Sequence, residues 1–178
     1  MLVVLGACLP AKRKSAQYYY ENKTAIEEVR LLFDSLYKHQ PFSAGFSDRS
    51  FQYYLLEVTT DSVRYIYDTE KNKPLATAAI TRFGYDTTLS FTLARLLKKI
   101  KCLWISKRSF YVNQQRETVT FLSFKSVANT NLFSENKYYT LVFLPHPISS
   151  KSLREKVRKG DIVQIEGLVY FLISSNFR

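Results

Sequence analysis

The run Phe51-Gln-Tyr-Tyr-Leu-Leu-Glu-Val58, the polar Thr59-Thr-Asp-Ser62 and the run Val63-Arg-Tyr-Ile-Tyr67 decide the fold. Two short segments rich in aromatic and β-branched residues flank a turn-forming tetrad. That pattern predicts a β-hairpin and, with it, an antiparallel sheet. Successive side chains of a strand point to opposite faces. The neighbouring rings of Tyr53 and Tyr54 therefore require either that both faces be covered or that one aromatic face be exposed.

Beyond Cys102 the chain continues in the same manner. Candidate strands lie at 102–105, 109–113, 118–126, 138–144, 162–166 and 168–174, with Gln114-Gln-Arg-Glu117 as a hairpin link. The run 138–144 is apolar on both faces, as in a central strand. Gly167 interrupts the last run and predicts a bulge or sharp bend. Residues 149–159 read as a short basic helix or turn.

Two helices are predicted in front of this unit. The first covers 24–38. Thr24 stands three residues before Glu27, the capping-box spacing, and Ile26, Val29, Leu32, Phe33 and Leu36 recur at helical intervals. Pro41 stops it. The second begins at Asp86 or Thr88 and runs to about Lys101, with Leu89, Leu93, Leu96, Leu97 and Ile100 on one face. Residues 41–50 read as a loop about Gly45, and 75–84 fits helix or strand equally well.

The chain has 178 residues with ordinary hydrophobic (46%) and charged (23%) fractions, which excludes disorder of the whole chain. Aromatics reach 15%, which favours strands and a ring-built core. The expected class is α+β: a mainly antiparallel β-sheet, or a partly closed OB-like barrel, with two amphipathic helices. The barrel option comes from Gly160 to Val169, which resembles the Gly-Asp turn and alternating strand of small OB-like barrels.

The N-terminal run Met1-Leu-Val-Val-Leu-Gly-Ala-Cys8 is apolar and uncharged and is followed by Lys12-Arg13-Lys14. Its Leu5-Gly6-Ala7-Cys8 resembles the lipobox of bacterial lipoproteins. Gly6 and Ala7 are the small residues that a signal peptidase needs beside the scissile bond. The resemblance implies cleavage before Cys8 and lipidation of Cys8. The run is shorter than a full secretory signal and lacks its positive n-region, so the expected start lies upstream of Met1. The organisation implied is a truncated lipoprotein-type signal over 1–8, a basic tether over 9–22 and a single α+β domain over 23–178. It places the protein in the bacterial cell envelope, extracytoplasmic and attached to the membrane through a lipid anchor.

The net charge of +11 points to an anionic partner. The candidate residues are Lys12, Arg13 and Lys14 near the anchor, Arg95, Lys98, Lys99 and Lys101 at the end of the second helix, and Lys107 and Arg108 just after it. Phe110 and Tyr111 stand beside the last pair, and Lys151, Arg154, Lys156, Arg158 and Lys159 form a further cluster. An anionic lipid or envelope polyanion is the expected partner. The alternative is a cytoplasmic nucleic-acid-binding module of OB-like type.

No catalytic residues are predicted. His39 and His146 lack neighbours at metal-ligand spacing. Phosphate-loop, nucleophile-elbow and zinc-protease motifs are absent from the sequence. No metal and no cofactor is expected, and the expected role is non-catalytic binding. Cys102, in an apolar run, reads as a buried core thiol.

Overall fold

The computed structural model describes residues 8–69, 71–112, 115–127, 136–147 and 151–174. Its elements in chain order are α1 (Cys8–Tyr37), β1 (Phe42–Phe46), β2 (Tyr54–Thr59), β3 (Arg64–Asp68), α2 (Lys73–Arg82), α3 (Thr87–Lys99), β4 (Trp104–Val112), β5 (Gln115–Val127), β6 (Lys137–Phe143), α4 (Lys151–Lys159), β7 (Ile162–Glu166) and β8 (Val169–Ser174). The strands form one open antiparallel sheet in the order β3-β2-β1-β4-β5-β6-β8-β7. It has two edges, β3 and β7, so the OB-like barrel expected as an option is not formed. The α+β class stands.

Internal contacts divide the chain into two compact units. One is Thr24–Ser106; the other joins Met1–Lys23 to Lys107–Phe177.

In the Thr24–Ser106 unit, β2 and β3 make the hairpin read from the sequence, with Leu56 opposite Tyr67 and Val58 opposite Tyr65. The surprise is β1. Residues 41–50, expected as a loop, contain a strand that pairs β2 from Phe42↔Val58 to Phe46↔Tyr54. Phe42, Ala44 and Phe46 alternate with Ser43 and Gly45, and all three are buried. Phe42 meets Phe33 of α1 at 4.9 Å and Tyr85 at 5.1 Å between ring centroids. The Tyr85 hydroxyl donates to Gln40 O at 2.7 Å, which holds the chain entering β1.

The ambiguous 75–84 stretch resolves as α2, with Pro74 in its first turn, where a missing N–H costs no helical bond. Asp86 caps α3 by accepting from Leu89 N at 2.8 Å, and Leu93, Leu97 and Ile100 are buried. After β1, the Asp48 carboxylate accepts from Ser50 Oγ, Gln52 N and Tyr53 N. Burial pushes this carboxyl up, but the hydrogen bonds outweigh it and hold it below its ordinary value. They also brace Phe51 at a positive φ of 56°.

In the other unit, the sheet runs β5-β6-β8-β7. Leu122, Leu141 and Phe171 form one buried row across it. On the opposite face Val119, Val142 and Tyr170 cluster, with Phe121, Ile162, Leu172 and Val157 of α4 packed against them. The register of β5 shifts between Ser123 and Lys125. Phe124 lies at that shift, and its ring stacks on Tyr18 of α1 (3.9 Å, 8° between planes). Gly167, at a φ of 50°, makes the tight turn from β7 to β8.

Two local expectations change. The stretch 9–22, read as a tether, is helical, so the first helix already starts at Cys8 rather than at Thr24. Its buried side continues N-terminally through Ala11, Ser15 and Tyr19 at intervals of four. Pro10 falls in the opening turn, where proline is tolerated. The runs 102–105 and 109–113, read as two strands, are joined in the single strand β4, which covers Trp104–Val112; Cys102 and Leu103 precede it and residue 113 lies outside the described residues.

Candidate functional site

The nine predicted cations and Cys8 fall on three elements, α1, α3 with Lys101 just after it, and β4, divided between the two units. Cys8 is the first residue of α1; the residues before it, including the rest of the lipobox-like run, lie outside the described residues. Lys12, Arg13 and Lys14 are consecutive and exposed on the next turn, around the buried Ala11 and Ser15. Arg95, Lys98 and Lys99 are exposed on the last turns of α3, and Lys101 follows it at a φ of 53°. Cations there compensate the helix dipole, and Arg95 donates to Thr92 Oγ1 at 2.9 Å. Lys107 and Arg108 are successive residues of β4 and point to opposite faces.

The charge is divided unevenly. Met1–Lys23 with Lys107–Phe177 holds fourteen Lys and Arg against six Asp and Glu; Thr24–Ser106 holds eleven against nine. The basic character therefore belongs to the unit that carries both ends of α1's first half and the β4–β5 ribbon.

That ribbon is the least expected part of the site. Pairing of β5 with β6 begins at Thr120↔Phe143, and β1 pairs with β4 at Gly45↔Trp104 and Ala44↔Ile105. β4 and β5 are neighbours in the sheet, and among the described residues 107–112 and 115–119 extend past these pairings with β1 and β6. Ser109 Oγ and Thr118 Oγ1, 3.2 Å apart, fix a pair across them. Arg108 lies over the Phe121 ring at 5.8 Å, and Phe110 meets the same ring at 6.3 Å. Arg108 and Phe110 therefore share the face of the Val119 cluster. By alternation Lys107, Tyr111 and Arg116 lie on the opposite face, with Ser109 and Thr118. Phe110 is 45% exposed and Tyr111 79%. One face sets Tyr111 with Lys107 and Arg116; the other sets Phe110 with Arg108 and with Glu117, the one acid on the ribbon. Arg116 was read from the sequence as part of a hairpin link. Its polar neighbours Gln114, Gln115 and Glu117 hid that it stands on a strand.

The direction of α1 within this unit follows from two contacts. Tyr18 stacks on Phe124. Further along the helix, Lys23 Nζ donates to Glu166 Oε1 and Oε2 at 3.0 and 2.8 Å. Glu166 lies on the row Val169, Phe143, Thr120. Over those five residues the contacts pass from β5 to β7, so the helix crosses the strands obliquely, with Cys8 on the Val127 side. The ribbon is at the other end. The hydrogen bond from Lys23 holds the Glu166 carboxyl below its ordinary value, and the same bond raises Lys23.

The sequence's remaining candidates are scattered. The fourth basic cluster is α4, where Arg154, Lys156, Arg158 and Lys159 are exposed and Glu155 pairs with Lys159 at 3.2 Å. His39 follows α1 and His146 stands between prolines, both exposed, one in each unit. Among the described residues no group of three or more His, Cys, Asp or Glu is placed to hold a metal ion. No described helix is long and apolar enough to cross a membrane. Burial pushes the Cys102 thiol well up, and its Sγ lies 3.4 Å from Trp104 O.

Compared with protein-family models, curated proteins and solved structures, the chain matches none.

Proposed function

We propose that the chain is a lipid-anchored bacterial envelope protein with a non-catalytic binding role, held to the membrane through an acylated Cys8. One observation carries the reading. The lipobox-like Leu5-Gly6-Ala7-Cys8 leads straight into a helix whose opening turns expose Lys12, Arg13 and Lys14. At about 1.5 Å per residue these cations stand roughly 6–9 Å along the axis from Cys8. That is within about one Debye length of an anionic headgroup layer at physiological salt. Each contributes about 1 kcal/mol near such a surface. Acyl chains plus a basic patch make the two signals that stable anchoring requires.

The test is the mass of the native N-terminus, expressed from the protein's own upstream region in its own host. A mature chain that begins at acylated Cys8, and a Cys8→Ser variant that leaves the membrane fraction, are the expected results. A soluble chain that retains Met1 with a free thiol at Cys8 overturns the reading. The nucleic-acid alternative loses its structural premise with the open sheet, and the high charge is what remains in its favour.

A further inference from the structure

We propose that the β4–β5 ribbon is a docking element for an anionic polysaccharide, presented at the end of its unit remote from Cys8.

From the Tyr18–Phe124 contact, Cys8 lies ten residues up the helix, about 15 Å. From the same contact Arg116 lies eight residues back along β5, about 26 Å. The helix crosses the strands obliquely, so the two lengths add only in part, and Arg116 stands roughly 30–40 Å from Cys8, several Debye lengths. A bilayer that holds Cys8 does not screen or neutralise Arg108 and Arg116. Those cations serve a partner on the far side.

The ribbon's chemistry narrows that partner. A ring on each face, one 45% and the other 79% exposed, offers flat apolar area to a flat apolar surface. A sugar ring has such a surface on its C–H face. Arg116 on the Tyr111 face and Arg108 on the Phe110 face meet carboxylate or phosphate groups borne by the same polymer. Arg108 is already seated over Phe121, so its guanidinium is oriented before binding and loses less freedom on contact. Single-stranded nucleic acid shares the anionic chemistry, but it is bound by successive stacked rings along a continuous cationic track. Here each face has one exposed ring. The choice of a glycan also rests on the anchored, extracytoplasmic reading.

The experiment uses the full chain as Cys8→Ser, with four probes: an alginate oligosaccharide, a neutral dextran oligosaccharide, a thymidine oligonucleotide, and vesicles of phosphatidylcholine with phosphatidylglycerol. Alginate is expected to bind in preference to the other three, and more weakly as salt rises. Phe110→Ala with Tyr111→Ala is expected to lower its affinity about tenfold; Tyr111→Ala alone, whose ring is 79% exposed, is expected to lower it in part and to keep the parent Tm. Arg108→Gln with Arg116→Gln is expected to flatten the salt dependence. The proposal is overturned by undiminished alginate binding in the double ring variant, by preference for any of the other probes, or by no binding to alginate. N-terminal mass is read separately. An acylated chain that ignores alginate removes the ribbon proposal alone; an unacylated chain that prefers the oligonucleotide removes both.

Discussion

Replacing Gly45 by Ala should damage the Thr24–Ser106 unit through a backbone clash. Gly45 sits in the middle of β1, opposite Trp104 of β4. A Cβ built there lies 2.7 Å from Trp104 Cα and 2.7 Å from Trp104 Cε3, and closer still to Leu103 O. Carbon atoms in contact ordinarily stand about 3.5–4.0 Å apart. The strands must separate by about 1 Å, or Trp104 must leave its place, where it is 1% exposed. Separation strains the bond from Phe46 N to Leu103 O, now 2.6 Å. A lost backbone hydrogen bond costs about 1 kcal/mol, and overpacking a core adds about 1–3 kcal/mol. The sum is about 2–4 kcal/mol, or roughly 5–15 °C in Tm for a chain of this size. Calorimetry of Gly45→Ala beside Ser43→Ala reads the effect, since Ser43 lies on the same strand and same face without the clash. A Gly45→Ala variant that melts within about 2 °C of the parent refutes the reasoning.

Further outcomes are equally specific. Asp48→Ala removes the acceptor for Ser50, Gln52 and Tyr53 and should lower stability by about 1–2 kcal/mol at pH 7, measured by urea unfolding. Because the folded carboxyl titrates below its unfolded value of about 3.9, that advantage is present above pH 4 and is lost as pH falls through the folded value. A difference between parent and variant that persists undiminished at pH 2 contradicts the assignment. Cys102 is fully buried with its thiol pushed up, so folded Cys8→Ser protein at pH 8 should not react with Ellman's reagent until denaturant is added. Rapid release of one equivalent from the folded chain would show that the core opens there.

Strong periodicity made part of the fold legible. The β2–β3 hairpin, the α3 stripe and the last two strands were visible because apolar residues recur there at clear intervals. The first half of α1 was not, because its buried positions are Ala11, Ser15 and Tyr19. Small and amphipathic residues give a weak hydrophobic signal, and Lys12-Arg13-Lys14 beside them reads as a solvated linker. β1 was hidden by Gly45, which suggested a turn. Its reason is instead the close approach of Trp104, a partner distant in sequence. Of the site, the cations were legible as residues and not as a surface. Adjacent Lys107 and Arg108 look like a cluster in sequence, yet a strand sends them to opposite faces. Arg116 joined them through cross-strand register, which no local pattern encodes.

The open sheet has one last consequence, for how this protein behaves in concentrated solution. A sheet that does not close leaves a row of peptide groups along each outermost strand, a template onto which other chains can add. Here both outermost strands, β3 and β7, are five residues long, about 17 Å of template. On β3, Tyr65 and Ile66 are exposed between Arg64 and Asp68 at the ends. Brevity and terminal charge keep such a template from propagating. An insertion that lengthened β3 past Arg64 would remove the first safeguard, and neutralising Arg64 and Asp68 would remove the second. Fibril formation, rather than loss of binding, is the failure that the architecture itself holds in reserve.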